Sequence, residues 1–202
     1  MNIQSLDQAK EYVLNRLESE LPAGLYYHGL GHTIADVVPA AEVFAEGEGI
    51  QGEPADLLIT AAWFHDLGFI ETRAGHEAVS ARLAAEALPG FGYSDEQVQI
   101  IKGIIGATVL PQTPTSILGQ TLADADLEVL GRDDFMRRND DLRRELAFFG
   151  QESTDAEWYA AQVKFVEGHT YFTASAHRLR DAGKAKNLAE VKAILARLTK
   201  GM

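Results

Sequence analysis

The stretch EPADLLITAAWFHD, residues 53–66, decides how the rest of the chain is read. Glu53-Pro54 opens a helix, with proline in the first-turn position that its fixed φ suits. Residues 55–64 are then apolar almost all round, the pattern of a helix at the centre of a domain rather than on its surface. The run ends on His65-Asp66. Two polar, ionisable groups placed after eight mostly apolar residues are costly to bury unless paired or metal-bound. Gly68 marks the helix end, where the chain turns and both side chains can face one point.

Working outward, the same helical spacing recurs on both sides. Leu6, Ala9, Val13, Leu14 and Leu17 form one stripe; Ser5 with Gln8 reads as its capping box, and Pro22 and Gly24 end it. Tyr27–Glu46 is a second helix, with Pro39 as a kink. Glycines 47, 49 and 52 make a loop. On the other side, helices are expected from His76 to Leu88, after a Ser94/Gln97 cap, and over 117–130. Another begins at Asp133-Asp134. Thr154/Glu157 caps a long one running through Phe165, His169 and Phe172, and Asn187/Glu190 caps the last. No segment alternates like a strand between hairpin turns. The fold class expected is all-α: a single domain over 1–202, a bundle of about eight helices. Its core lies at about 25–135, with C-terminal helices 136–202 packed on it.

Bulk properties narrow the functional classes. The 202 residues contain no cysteine, which excludes disulfides and thiolate metal sites and fits a reducing, cytoplasmic setting. No apolar run approaches the roughly 20 residues of a spanning helix, and the first twenty residues lack the apolar segment of a signal peptide. A formal charge of −12 argues against nucleic-acid polymers and membrane surfaces, which want a basic face. A small phosphorylated ligand remains compatible, because a metal and one or two cations can hold a phosphate. Oligomeric state stays open.

Three or four separated residues have the chemistry to share one divalent ion: His32, His65-Asp66 and one of Asp124 and Asp126. Imidazole with carboxylate suits manganese, iron, cobalt, nickel, zinc or magnesium, and such mixed sets leave positions for water and substrate. Asp124 and Asp126 are two residues apart, so a regular helix points them apart. Leu127 and Leu130 favour Asp126 as the inward one. His28, four residues before His32, falls on the same helical face. Arg73, Lys102 and His76 are candidate substrate contacts around the doublet. Trp63 and Phe64 are read as core, and Trp158, Tyr159 and Tyr171 either as core or as walls of a pocket.

In order and spacing, His32, then His65-Asp66, then Asp124 or Asp126 resembles the HD superfamily of metal-dependent phosphohydrolases. YHGLGHT at 27–33 is similar to the family's Tyr-His-Asn-x-x-His-Thr start, with Gly29 in place of Asn. DADLEVLG at 124–131 is similar to its late-helix motif. The resemblance covers roughly residues 25–135. It implies an all-helical fold and hydrolysis of a phosphate ester or anhydride, as in a phosphodiesterase or nucleotide phosphatase. It also implies a metal held by His32, His65, Asp66 and the late Asp, with His28 as general acid. Asp66 can further accept a proton from the metal-bound water. His76-Glu77 is similar to the pair that helps hold a second metal in binuclear members. Those members carry a His pair on the next helix, where this chain reads IIGATVL (104–110) with Thr108 in the matching place, so one metal is expected. Two rivals fit the same residues: a metal- or nucleotide-binding signalling module without turnover, and a di-iron oxygenase needing more histidine than this chain places there.

Overall fold

Residues 57–64 are buried without exception in a computed structural model, which describes residues 3–200. They form most of helix α3 (Glu53–Phe64), and the other elements are arranged around it. Helix α1 (Ile3–Glu20) lays Ala9, Val13 and Leu17 against it. Helices α2 (Val38–Gly47), α5 (Asp95–Gly106) and α6 (Ile117–Asp126) contribute Phe44, Ile101, Ile104, Ile105 and Leu122. Each such side chain stabilises the fold by roughly 1.5–3 kcal/mol on leaving water. Helix α4 (His76–Ala87) packs beside α5.

A second apolar cluster lies at the C-terminal side. It joins Tyr27, Val129, Leu130 and Phe135 to Val166 of α8 (Asp155–Gly168) and Val191 of α9 (Ala174–Lys200). Helix α7 (Phe135–Phe148) packs on the short 3-10 turn Glu128–Gly131, and α8 packs on α9. The all-helical reading therefore holds, with nine α helices and no strand among the described residues. No helix there is long and apolar enough to cross a membrane.

Local signals hold in some places and yield to packing in others. Ser94/Gln97 and Thr154/Glu157 both close reciprocal capping boxes. Ser5 does not cap, because α1 starts before it. Asn187 does not cap either. It lies inside an unbroken α9, and its buried amide donates to the carbonyls of Leu130 and Arg132 at 2.9 and 2.8 Å. The expected helix over 27–46 starts only at Leu30 and runs as a π-helical stretch over His32–Val37 before α2. Pro39 has no N–H to give the preceding turn, and the wide turn sits directly before it. The helix after Thr154 stops at Gly168, with His169 already extended. The one over 117–130 stops at Asp126 and continues as the 3-10 turn.

Glycines allow backbone contact at two crossings. A Cβ on Gly68 would lie 2.0 Å from the His76 carbonyl oxygen. The turn after the His-Asp doublet can therefore press on the start of α4, where Ser80 Oγ accepts from the Gly68 N–H at 2.8 Å. A Cβ on Gly183 would lie 2.0 Å from the Gly131 carbonyl oxygen, and one on Gly131 would lie 2.5 Å from that of Arg180, so α9 crosses the 3-10 turn at backbone contact.

Candidate metal centre

Four side chains from three segments meet at the C-terminal end of α3. His32 comes from the π-helical stretch, His65 and Asp66 from the end of α3, and Asp126 from the last residue of α6. His32 Nε2 lies 3.1 Å from Asp126 Oδ1 and 3.8 Å from Asp66 Oδ2; His65 Nε2 lies 3.7 and 3.3 Å from the same two atoms. An ion 2.0–2.1 Å from each ligand places tetrahedral neighbours about 3.4 Å apart. The tightest mutual set is His32, His65 and Asp66, all buried. Asp126 joins it through the two imidazoles.

The hydrogen-bonding pattern leaves room for a cation. His65 Nδ1–H donates to the Ala62 carbonyl at 2.7 Å, so in the neutral ring Nε2 is a bare lone pair. That lone pair faces carboxylate oxygens, and neither His65 Nε2 nor Asp66 Oδ2 has a hydrogen-bond partner despite full burial. Lone pairs facing one another in a dry site repel unless a proton or a metal ion lies between them. Burial works against charge on His32, yet the Asp126, Asp36 and Asp66 carboxylates outweigh it and raise the imidazole to about 9. His65 is raised too, burial again being outweighed by Asp66. Burial opposes ionised Asp66 as well, but His65 and His76 hold its carboxyl well below the usual range. These residues fit a divalent ion with nitrogen and oxygen ligands.

This has a pH consequence of definite sign. The His32 imidazole is raised in the metal-free fold, so its contribution is fully present below about pH 6.5 and is lost as pH rises through about 9. That contribution is on the order of 3 kcal/mol. Metal binding must displace the same proton. In chelator-stripped protein, affinity for zinc or manganese should therefore rise with pH from 6.5 to 9, by up to about tenfold per unit, and level off above. Calorimetry at pH 7 in buffers of different ionisation enthalpy should register about one proton released per ion. Affinity that stays flat over this range would refute the assignment of His32.

Behind the ligands stands a charged layer that the sequence reading did not single out. Asp36 Oδ2 lies 3.5 Å from His32 Nδ1 and 2.9 Å from Arg138, while its Oδ1 is gripped by Arg132 at 2.5 Å. Burial would raise its carboxyl, but His32 and Arg132 bring it down to about 2. Such a carboxylate fixes the orientation of a ligating imidazole. The i, i+4 spacing of His32 and Asp36 was a readable clue. Glu145 carried none, being one of many charges on α7.

His28 lies in the bend before the helix rather than on it, yet it still arrives over the site. Its Nδ1 lies 2.5 Å from Glu145 Oε1, while Glu145 Oε2 accepts from the backbone N–H groups of Tyr27 and His28 at 2.8 and 3.0 Å. Phe69, on the turn after the doublet, is stacked between His28 and His76 with centroids 4.6 and 4.0 Å away. His76 Nε2 is 3.2 Å from Asp66 Oδ1, so the two oxygens of Asp66 look to different sides.

The remaining sequence candidates separate. Asp124 does not join the cluster: its oxygens accept from the backbone N–H groups of Phe172 and Thr173 and from Thr173 Oγ1, at 2.9, 2.8 and 2.7 Å. Arg73 turns away and lies over the Phe149 ring at 4.0 Å. Lys102 is half-buried and does not line the cavity at the site, whereas Thr108 does. Trp63, Phe64 and Tyr171 are core.

That cavity has a volume of about 1030 Å³ and opens on Asp66, Asp126, His28 and His76. No protein-family model, no curated protein and no solved structure matches the chain.

Proposed function

We propose that the chain is a metal-dependent phosphohydrolase of the HD type, acting on a phosphate ester or anhydride of a small metabolite such as a nucleotide. One observation carries the reading: a buried His32/His65/Asp66 cluster, in which His65 Nε2 and Asp66 Oδ2 lack hydrogen-bond partners, stands at the end of a large cavity, with two further imidazoles beside it. The order of these residues along the chain, similar to the HD superfamily, supports it.

His32, His65, Asp66 and Asp126 would hold a divalent ion, which when bound would supply a Lewis acid for a phosphoryl oxygen and lower the pKa of bound water from 15.7 toward ~7. Asp66 would take the water proton on Oδ1, the oxygen that lies 3.2 Å from His76 Nε2. His28 is the proton donor to the leaving oxygen. Glu145 holds its Nδ1, which leaves the other ring nitrogen as the working end, the arrangement by which a carboxylate orients a general acid. His76 lies at the outer oxygen of Asp66, in position to contact a phosphate.

Protein purified without chelator should carry near-stoichiometric metal. It should hydrolyse at least one member of a panel of nucleoside mono-, di-, tri- and cyclic phosphates and p-nitrophenyl phosphate when supplied with manganese, cobalt, nickel, zinc or magnesium. Silence across all metals and substrates would sink the hydrolase reading. His28→Ala should lower kcat by roughly 10²–10⁴ with metal content unchanged. An equal loss of metal would instead make His28 a ligand.

A further inference from the structure

The cavity continues well past the metal centre, between α7 and α8. Its far walls are largely apolar, with Leu130, Phe135, Leu142, Leu146 and Phe165 among the side chains lining it. Walls of that kind alone would suit an aliphatic chain.

Buried polar groups on the same walls point to a different ligand. Asn139, 3% exposed, finds no protein partner for either its Nδ2 or its Oδ1. Trp158, 5% exposed, has no partner for its Nε1–H. Both side chains line the cavity, one from α7 and one from α8. His169 lines it too, with neither ring nitrogen bonded, and burial beside Lys184 lowers its pKa to about 4, so at neutral pH it offers one donor and one acceptor. Each buried polar group facing hydrocarbon costs about 1–3 kcal/mol.

Charge is committed elsewhere. Arg138 lines the cavity, but its guanidinium is held by Asp36, Asp141 and the Tyr27 carbonyl. Lys164 is exposed. A carboxamide is matched in its own plane by a neighbouring donor and acceptor, and Trp158 with Phe165 offers aromatic surface to a flat ring.

We propose that this end of the cavity is a binding subsite for a neutral, planar ring with an adjacent hydrogen-bond donor and acceptor, a cyclic amide or similar heterocycle. Asn139 reads that edge through its carboxamide and Trp158 through its Nε1–H. The phosphohydrolase reading enters only in what the ring is attached to; the subsite itself needs no metal and no turnover.

The test uses chelator-stripped full-length protein titrated with 2-pyridone and uracil, followed by saturation-transfer NMR and calorimetry. Benzene serves as the ring without the polar edge, and hexanol as the aliphatic control. The two cyclic amides should bind in preference to both controls. Asn139→Leu should weaken them at least tenfold, and Trp158→Phe by about three- to tenfold, the worth of one hydrogen bond. If Asn139→Leu does not fold by circular dichroism, Asn139→Asp, nearly the same shape without the donor, takes its place. The proposal is overturned if the amides do not bind, if benzene or hexanol binds as well as they do, or if the folded variants bind the amides as the parent does. Because the assay contains neither metal nor phosphate, failure here and failure of the hydrolase screen are separate results.

Discussion

Asp66→Asn protein should purify without stoichiometric metal and should turn over phosphate substrates slower by on the order of 10³-fold or more. The loss combines two effects. The amide cannot supply the anionic oxygen that faces His65 Nε2 at 3.3 Å, so the ion loses a charged ligand. The oxygen placed to take the water proton disappears as well. The fold itself should persist, because the doublet sits at the end of α3 and the core around residues 57–64 is untouched. A second readout separates a lost ligand from a damaged fold. Asp66 is one of the carboxylates holding a proton on His32 and His65. In the variant, NMR titration of the stripped protein should show both imidazoles losing their proton at lower pH than in the parent. Full metal content in Asp66→Asn would remove Asp66 from the ligand set.

The second large effect separates two acids that stand two residues apart. Asp124→Ala should destabilise the protein by about 2–4 kcal/mol, a fall in Tm of roughly 5–15 °C for a domain of this size, while leaving metal content intact. Asp124 is fully buried, and its removal orphans two backbone N–H groups and the Thr173 hydroxyl just before α9. Asp126→Ala should do the reverse. Asp126 is partly exposed and makes its closest contact with His32 Nε2, so its loss should weaken metal binding with little change in the Tm of stripped protein. Calorimetric melting and metal analysis of the two variants side by side decide the matter. Loss of metal in Asp124→Ala with an unchanged Tm would reverse the assignment.

Periodicity made the central helix and its neighbours readable because an all-round apolar run followed by His-Asp has few other solutions. The caps at Ser94 and Thr154 were equally legible, since that chemistry is local. The Asp124/Asp126 question was not. Both lie near the same helix end, and only the placement of Phe172-Thr173, 48 and 49 residues later, occupies one of them. Asn187 misled for a related reason: a capping signature and a buried amide bonding a distant turn look alike in one dimension. Glu145 was hidden among the charges of α7, and Arg73 found an aromatic ring that no local pattern announces. The π-helical stretch, by contrast, was half visible in Pro39, read as a kink and realised as a wide turn.

The cluster that His32 and Asp126 complete spans 94 residues of chain, and the His28–Glu145 contact spans 117. During synthesis, therefore, His32, His65 and Asp66 emerge first, Asp126 follows only with α6, and Glu145 only with α7. Any ion bound there would meet its full ligand set only once α6 has joined the fold. Selection among competing cations would then fall to the finished geometry, not to whichever ion first reached a nascent histidine.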